Sequence, residues 1–447
     1  MPAKDPSGSA PDAPEPTWKR TYWVVWAANL VTSIGMMSFL PFFPSLLLEM
    51  GVTDDGARSA WAGVCFAAAP LSATVSAPLW GAVGDRFGRK IMVCRAMFAI
   101  ALFVSAMGFA QSPWQLLALR LGQGMFSGFI PPSITLVSIA APSDMQGRVA
   151  GNLSTALAIG GLTGPLFGGF LKNLFGAQRP VFFVVGALAL AAGLLVWFGA
   201  REDVTKRRAG SKPTGRAALR QTVDDVREVF RSSAMRATAL VVFALQFGLG
   251  AVNPVLELHV EGLFGSGLEG SVWERIVGWT GAQGATLEES VETLATSLLF
   301  GAMAIANLLS LSWWGRYGDR IGHRPALLRC GIVSLASLVV QGLAPGYAVL
   351  LLGRFLMGVG MAGIGPLAFG LAAGEASADR RGGAFGVVFS ARTFAAAVGG
   401  MSGGVLFDLV RLEGVLLLGS LLLVFALVGF RRSSARASGP AARPRGV

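Results

Sequence analysis

The chain has 447 residues, of which 53% are hydrophobic and 14% are charged, and its net charge is +12. A mean hydropathy of +0.59 excludes a water-soluble domain as the main body of a chain of this length. Because a membrane-spanning helix takes about 20 apolar residues, about twelve such helices would use a little over half of the chain. We therefore expect an all-α membrane protein with many spans.

Twelve apolar segments follow one another along the chain in two sets of six. The first set predicts spans 1 to 6 at Tyr22–Leu46, Ala60–Trp80, Ile91–Ala110, Leu116–Ala140, Val149–Phe170 and Pro180–Ala200. The second set predicts spans 7 to 12 at Ala237–Val260, Val291–Trp313, Ala326–Ala344, Ala348–Ala372, Ala384–Leu406 and Gly414–Phe430. We expect two pseudo-symmetric six-helix bundles, residues 22–200 and 237–430, joined by a basic linker at 201–236.

Lysine and arginine residues collect on every second loop, with 29 on the side of both termini and five on the other side. Because cytoplasmic loops carry the excess of basic residues, we expect both termini in the cytoplasm and a multi-pass protein of the cell membrane, inner or plasma. Residues 1–21 and 431–447 are expected to be disordered tails. This placement of charge indicates a lipid bilayer rather than a nucleic acid as partner.

Cofactor and metal chemistry find little support in the sequence. The three cysteines, Cys65, Cys94 and Cys330, are too few and too apolar in setting for a disulfide framework or a metal site. No phosphate-binding glycine loop is present, which speaks against ATP-driven pumping. We expect no cofactor, no metal and no catalytic residues, hence a protein that is not an enzyme. We also expect a monomer.

An internal repeat relates the two halves. Trp80 and the ten residues after it recur from Trp314, a displacement of 234 positions, and the same displacement carries Arg120 onto Arg354. Pro41 instead matches Pro254 at a displacement of 213, so the difference of 21 residues locates an insertion at about 262–290 on the outer side. Parallel six-helix halves are one known transporter design, with the substrate site at the midplane. The repeat therefore predicts a transporter.

The repeated loop needs glycines that tolerate a sharp turn between two spans, and we expect Asp85 to cap the next helix or to pair with the opposite half. Its first copy contains Gly81, Asp85, Arg86, Gly88 and Arg89, and its second contains Gly315, Asp319, Arg320 and Gly322. This run resembles the loop signature of the major facilitator superfamily, although the second copy departs from it at His323. The resemblance implies the fold of that superfamily and a gating role for the loop.

Span 5 carries glycines at a helical spacing that gives one smooth face for close packing, and a proline that bends the helix: Gly160, Gly164, Pro165, Gly168 and Gly169. The run is similar to the motif of the antiporter branch of the superfamily, which favours export over uptake. The Arg120 region of span 4 and the prolines that end span 1 also fit the superfamily. Other stretches resemble its multidrug and tetracycline efflux group.

Polar stripes on four spans predict a substrate cavity. Span 7 places Gln246, Asn253 and Glu257 on one face of an apolar helix, where lipid would not tolerate them. Parallel stripes on spans 1, 4 and 10 contain Asn29, Ser33 and Met36, then Arg120, Gln123 and Ser127, then Arg354, Met357 and Met361. The resemblance implies that these four spans line the cavity. A polar contact between helices without any ligand is the alternative.

Coupling to a proton requires a carboxylate that titrates, and Glu257 followed by Glu49 are the best placed. Arg120, Arg354 and Arg392 should face protein or water because a charge within a span is costly. We expect Glu257 to pair with Arg354 and to release it on protonation. The predicted function is proton-coupled efflux of small amphipathic compounds by alternating access, with an importer or symporter and a non-transporting receptor or scaffold as alternatives.

Overall fold

The computed structural model describes residues 17–141, 146–202, 227, 232–264, 272–280, 286–375 and 381–437. Within these residues the regular structure is helical and no strand is present. The helices are α1 (Thr17–Phe39), a 3-10 turn (Leu40–Phe42), α2 (Phe43–Glu49), α3 (Asp55–Phe87), α4 (Arg89–Met107), α5 (Pro113–Phe126), α6 (Ile130–Ala140), α7 (Gln146–Phe175), α8 (Arg179–Gly199), α9 (Ser233–Val252), α10 (Leu256–Glu261), α11 (Val272–Thr280), α12 (Leu287–Ile321), α13 (His323–Gly342), α14 (Tyr347–Glu375) and α15 (Arg381–Ala437).

The helices account for twelve membrane crossings. Nine helical stretches of the described chain are long and apolar enough to span a bilayer. The last of them contains two spans, because α15 bends at Arg411, whose φ is 54°. The helices α5 and α6 form one further span with a break between them, and α7 supplies the remaining one. The all-α, twelve-span fold predicted from the sequence is confirmed.

Helices are present in three segments that the sequence predicts to lie outside the spans, namely the two tails and the insertion. Thr17 begins α1 inside the expected N-terminal tail, and α15 continues to Ala437 beyond the expected end of span 12, because a helix need not stop at the membrane surface. The insertion at about 262–290 contains α11, and Thr286 and Glu289 form a capping box before α12. Residues 1–16, 438–447 and the linker residues 203–226 and 228–231 lie outside the described chain.

Each half of the chain builds its own hydrophobic core. One core is formed by buried residues between Val25 and Ala200, and the other by buried residues between Met235 and Phe430. The halves meet mainly where α3 packs on α15 and where α7 packs on α12. We call the end of the bundle that carries α11 the loop end. The opposite end, which carries Thr17 and Ala437, is the terminus end.

Close packing of α7 on α1 follows from the glycines of span 5. A Cβ atom added at Gly160 would lie 2.3 Å from Cβ of Ser33, and one at Gly168 would lie 1.8 Å from the carbonyl oxygen of Ser38. Gly164 makes the same kind of approach to Met37. Larger side chains would therefore hold the two helices apart, which is the use of small residues at helix contacts within membranes.

Candidate functional site

A cavity of about 350 Å³ lies between the two halves. Residues from α1 and the 3-10 turn, α3, α7, α9, α12, α14 and α15 line it, so both halves contribute to one space. The wall is formed by Met37, Leu40, Pro41, Phe66, Ala158, Gly161, Pro165, Leu249, Asn253, Phe300, Met303, Ala304, Asn307, Met361 and Arg392. An apolar wall with a few polar groups is typical of a site for small organic ligands.

The polar groups on this wall are two amides and one guanidinium. They belong to Asn253, Asn307 and the exposed side chain of Arg392, and none of the described lining residues is acidic. Arg354 lies directly behind the wall, where it donates a hydrogen bond of 3.3 Å to Oδ1 of Asn253 and lies 5.4 Å from the ring centroid of Phe300. The cavity therefore carries positive charge on a wall that is otherwise mostly apolar.

The structure places most of the predicted stripe residues within the halves rather than on the cavity wall. On span 1, Asn29 accepts a hydrogen bond of 3.1 Å from Ser133, and Ser33 packs under Gly160. On spans 7 and 10, Gln246 and Met357 are buried. Only Asn253 and Met361 among the predicted cavity residues are part of the described lining.

Span 4 contributes to the core of the first half. Arg120 donates to the carbonyl oxygen of Cys65 at 3.0 Å and to Oε1 of Gln123 at 2.5 Å, and Gln123 donates to Sδ of Met36 at 3.0 Å. Ser127 stands at the break that ends α5. The expectation that spans 1, 4, 7 and 10 form the wall is corrected: span 4 is absent from the described lining, while spans 2, 5, 8 and 11 take part because they face the opposite half.

A buried ion pair joins the halves at the loop end. Nζ of Lys172 on α7 lies 2.8 Å from Oε1 of Glu257 on α10, and the side chains are 17% and 6% exposed. Ser45 on α2 donates to the same carboxylate through its backbone N–H, at 3.1 Å, and through its hydroxyl group. Arg58 and Glu261 form a second pair across the halves, at 3.2 Å. We call these five residues the loop-end gate.

Further contacts seal the same end. Nδ2 of Asn173 donates to the carbonyl oxygen of Ser290 at 3.3 Å, and the hydroxyl of Ser297 donates to the carbonyl oxygen of Pro165 at 3.1 Å. A Cβ atom added at Gly169 would lie 2.1 Å from Oγ of Ser297. The hydrogen bonds and ion pairs between described residues of the two halves therefore cluster at the loop end.

Backbones of the two halves come close together where α3 crosses α15. A Cβ atom added at Gly404 would lie 2.3 Å from the carbonyl oxygen of Ser59 and 2.9 Å from Cα of Gly63. One added at Gly63 would lie 2.4 Å from the carbonyl oxygen of Gly400. This crossing requires glycine on both helices, because a larger side chain at either position would push the two helices apart.

The expected pair between Glu257 and Arg354 is not formed in this structure. Glu257 instead binds Lys172 and Ser45, while Arg354 binds Asn253 behind the cavity wall. The reason is position, because Glu257 follows the break after α9 and lies at the loop end rather than at the midplane. Glu49 also has a local partner: its carboxylate accepts from the backbone N–H of Gln178 at the start of α8.

Carboxylates outnumber cations in a loop-end pocket of about 180 Å³ between the halves. Its charged lining consists of Glu49, Glu257, Glu261, Glu289 and Glu292 against Arg58 and Lys172. Six residues of the gate and the pocket were not singled out from the sequence: Ser45, Arg58, Lys172, Glu261, Glu289 and Glu292. A lone lysine at the end of the apolar, proline-containing span 5 was the available signal for Lys172, whereas nothing in the sequence separated Glu292 from the acidic residues of the preceding loop.

The repeated loop turns through glycine in both halves. Gly88 has φ of 107° and Gly322 has φ of 90°, values in the left-handed region that favours glycine. In the first half, the carboxylate of Glu202 caps the start of α4, because it accepts from the backbone N–H groups of Arg89 at 2.8 Å and Lys90 at 3.0 Å. The capping or pairing role expected of Asp85 stays a prediction.

The remaining loop-motif residues that the structure describes do not come together in one site. The surroundings of Gly81 and the side chains of Asp85 and Arg86 lie outside the described part of the structure. In the second half, a carboxylate oxygen of Asp319 lies 3.8 Å from Nε2 of His323, Arg320 is exposed, and Gly315 has open space around its Cα. The gating role that the resemblance implies for these residues stays a prediction.

Comparison with known proteins decides the family. The sequence profile of the Major Facilitator Superfamily matches residues 25–276 and 241–446, which together span most of the chain. The chain belongs to the Major Facilitator Superfamily. The multidrug resistance protein MdtG of Proteus mirabilis is 30% identical over 348 residues, covering 76% of this chain and 78% of that protein. MdtG of Salmonella typhimurium is 30% identical over 344 residues, covering 76% and 77%.

Solved transporter structures share this fold. The nucleoside transporter NupG has a TM-score of 0.71 at 14% identity, covering 93% of this chain and 99% of that chain. A bacterial homolog of the human lysosomal transporter Spinster, in an inward-facing and occupied conformation, has a TM-score of 0.70 at 14% identity, covering 95% and 98%. This superfamily member is a multi-pass membrane transporter, and its relatives favour drug efflux.

Proposed function

We propose that this transporter exports small amphipathic compounds by alternating access, in exchange for protons. The observation that carries the proposal is a largely apolar cavity between the two halves, sealed at one end by the loop-end gate. Opening that gate while the terminus end closes would pass a bound compound from one side of the membrane to the other. The MdtG relatives, named for multidrug resistance, support an exporter.

The charge distribution supports one orientation of the protein in the membrane. Basic residues number 29 on the side of both termini and five on the other side, so the terminus end is the cytoplasmic end under the positive-inside rule. The bacterial relatives support the inner membrane as the location. The loop end is then outside, and the conformation described here is closed to the outside. A compound in the cytoplasm would enter the cavity in this state.

The charge and polarity of the cavity wall indicate which compounds the transporter could carry. Arg392 is exposed on the wall and no described lining residue is acidic, so an organic cation would meet an uncompensated positive charge in an apolar setting. Met37, Phe66 and Met303 offer deformable and aromatic surface to an apolar ligand body. We therefore assign neutral or anionic amphipathic compounds as the cargo, with Asn253 and Asn307 as hydrogen-bonding groups.

Glu257 acts in the gate rather than as the coupling group. In antiport, the protonated carrier must return to the state that is sealed outside. Protonation of Glu257 in that state would leave Lys172 buried without its counter-charge, which is strongly unfavourable. Sealing therefore favours ionised Glu257, which is the opposite of what a coupling acid requires.

The surplus carboxylates at the loop end respond to sealing as a coupling acid must, because sealing favours protonation of one of them. Closing the pocket brings Glu261, Glu289 and Glu292 together with Glu257 around only two cations. Bringing like charges together favours the neutral form of one of them. Of these acids, Glu257 and Glu261 have ion-pair partners, and Glu289 serves the cap of α12. We assign Glu292 as the group that takes up the proton from outside on sealing and releases it through the cavity toward the cytoplasm when a compound binds there.

A steric block at the α3–α15 crossing tests the transport cycle. Leucine at Gly404 would collide with Ser59 and Gly63 of the opposite half, so Gly404→Leu is expected to prevent sealing while each half keeps its own core. In cells, a panel of neutral, anionic and cationic fluorescent amphipaths would be followed by accumulation. The wild type should lower accumulation of neutral or anionic compounds at least threefold, and Gly404→Leu should abolish that difference.

Gly429→Leu is the matched control, because Gly429 lies on the same helix with open space around it. It should behave as the wild type. Higher accumulation in wild-type cells would indicate an importer, and equal accumulation of every compound in wild-type and empty cells would contradict transport of this class of cargo.

A further inference from the structure

A second pocket, of about 120 Å³, lies within the first half near the terminus end. It is bounded by α3, α4, the break between α5 and α6, and α6. Its lining consists of Ala73, Ser76, Trp80, Arg89, Met92, Arg95, Gly124, Gly128, Pro131, Pro132 and Thr135. Two arginines and no acidic residue stand among these lining groups. The space exceeds what a single water molecule needs.

Arg95 is the unusual group in this pocket. Its guanidinium carbon lies 3.5 Å from the ring centroid of Trp80, whose indole N–H is in turn fixed by a hydrogen bond of 2.6 Å to the carbonyl oxygen of Met125. All three guanidinium nitrogens are buried and make no hydrogen bond. Stacking on a ring satisfies the face of a guanidinium but leaves its in-plane N–H donors unpaired, and unpaired buried donors are costly.

The repeat supplies an internal comparison. The displacement of 234 carries Trp80 onto Trp314 and Arg95 onto Arg329. Trp314 donates to the carbonyl oxygen of Val359 at 2.7 Å, the equivalent of the bond made by Trp80. Arg329 instead is exposed and lies 5.5 Å from the ring centroid of Tyr317. The fold of a half therefore holds this tryptophan in place without a buried arginine against it.

The depth of Arg95 suits a ligand at the membrane surface. It stands six residues after Arg89, the first residue of α4, which is roughly 9 Å along a helix. This places the guanidinium close to the polar headgroup layer that borders the hydrocarbon core. Glu202, the nearby acid described above, is engaged by the backbone N–H groups of Arg89 and Lys90 rather than by Arg95.

We propose that this pocket binds the phosphate group of an anionic ligand, with Arg95 as the bidentate donor and Arg89 as a second cation. A phosphate oxygen pair matches the fork of an arginine guanidinium and would satisfy the buried donors. The ligand is either a phospholipid headgroup or a soluble phosphate compound. The site is separate from the transport cavity, which Arg392 lines in the space between the halves.

Titration of the purified full-length protein tests the site. Thermal unfolding would be followed while phosphatidylglycerol in mixed micelles, or inorganic phosphate, is added to the wild type, Arg95→Gln and the matched control Arg329→Gln. The wild type and Arg329→Gln should be stabilised at the same ligand concentration. Loss of one charge-assisted contact should raise the half-maximal concentration for Arg95→Gln about tenfold or more. The agent that stabilises the wild type identifies the source of the phosphate.

A second variant keeps the test decisive if Arg95→Gln folds poorly. Ser76→Asp introduces a carboxylate into the same pocket, where it would compete with phosphate for Arg95. This variant should unfold at or above the wild-type temperature and lose its response to both agents. An unchanged response of Ser76→Asp, or of a folded Arg95→Gln, to phosphatidylglycerol and to phosphate would overturn the proposal, as would a wild type that responds to neither.

Discussion

Replacing Glu257 by glutamine is expected to open the loop end and stop the transport cycle. The variant would leave Lys172 mostly buried opposite a neutral amide, because the glutamine cannot supply the charge that the ion pair requires. Breaking a buried pair by removing one partner costs about 3–5 kcal/mol. This cost falls on the sealed state alone, so a population that is mainly sealed would become mainly open to the outside.

Alkylation of one introduced cysteine measures this shift. Cys65, Cys94 and Cys330 are buried and free, so a background with alanine at these three positions allows a reporter at Thr293, which lines the loop-end pocket. A membrane-impermeant maleimide added outside should label the reporter at least tenfold faster in the Glu257→Gln variant than in the reporter background that keeps Glu257. Equal labelling rates would contradict the role of the pair in sealing.

Two companion variants separate charge from general disturbance. Adding Lys172→Met to Glu257→Gln removes both charges, and since a buried ion pair and a neutral pair often have similar stability, slow labelling should return. Glu288→Gln removes an exposed acid at the start of α12 and should label as slowly as the reporter background. Fast labelling in the double variant would assign the effect to lost packing rather than to the unpaired lysine.

Gly168→Ala is expected to lower the stability of the first half by about 1–3 kcal/mol or more. The added methyl group would lie 1.8 Å from the carbonyl oxygen of Ser38, and neither atom belongs to a flexible side chain that can move away. The helices α7 and α1 would have to separate. Thermal unfolding of the detergent-solubilised protein, followed by tryptophan fluorescence, measures the loss.

Gly161→Ala is the control on the same helix, because nothing lies within 4 Å of the position that its methyl group would occupy. It should unfold at the wild-type temperature or slightly above it, since alanine favours a helix over glycine. If Gly168→Ala unfolds together with Gly161→Ala, the close contact between α7 and α1 does not contribute to stability as described.

The fold could be predicted because each of its determinants is local or repeated. Apolar segment length sets the spans, and the constant displacement between Trp80 and Trp314 reveals two similar halves. The breaks were harder to predict. The interruption of span 4 before Ile130 leaves the apolar pattern unchanged, so the segmentation could not show it. The backbone also leaves the helical conformation at Arg411, which lies between the segments predicted as spans 11 and 12.

The candidate site was predicted less well for a physical reason. A polar stripe looks the same in sequence whether it faces a cavity or a neighbouring helix, and Asn29 and Gln123 turned to neighbours within their own half. The gate requires knowledge of which residues meet across the halves. Lys172 and Glu257 are 85 positions apart and belong to different halves, so the sequence alone could not pair them.

Proton movement in proteoliposomes tests the central claim most directly. The full chain would be reconstituted with a pH-sensitive dye inside, and the neutral or anionic compound with the largest effect in the accumulation panel would be added outside. Antiport predicts that entry of the compound makes the interior more alkaline in the wild type, with no change in Gly404→Leu. Acidification of the interior, or entry of the compound without any pH change, would contradict proton-coupled export.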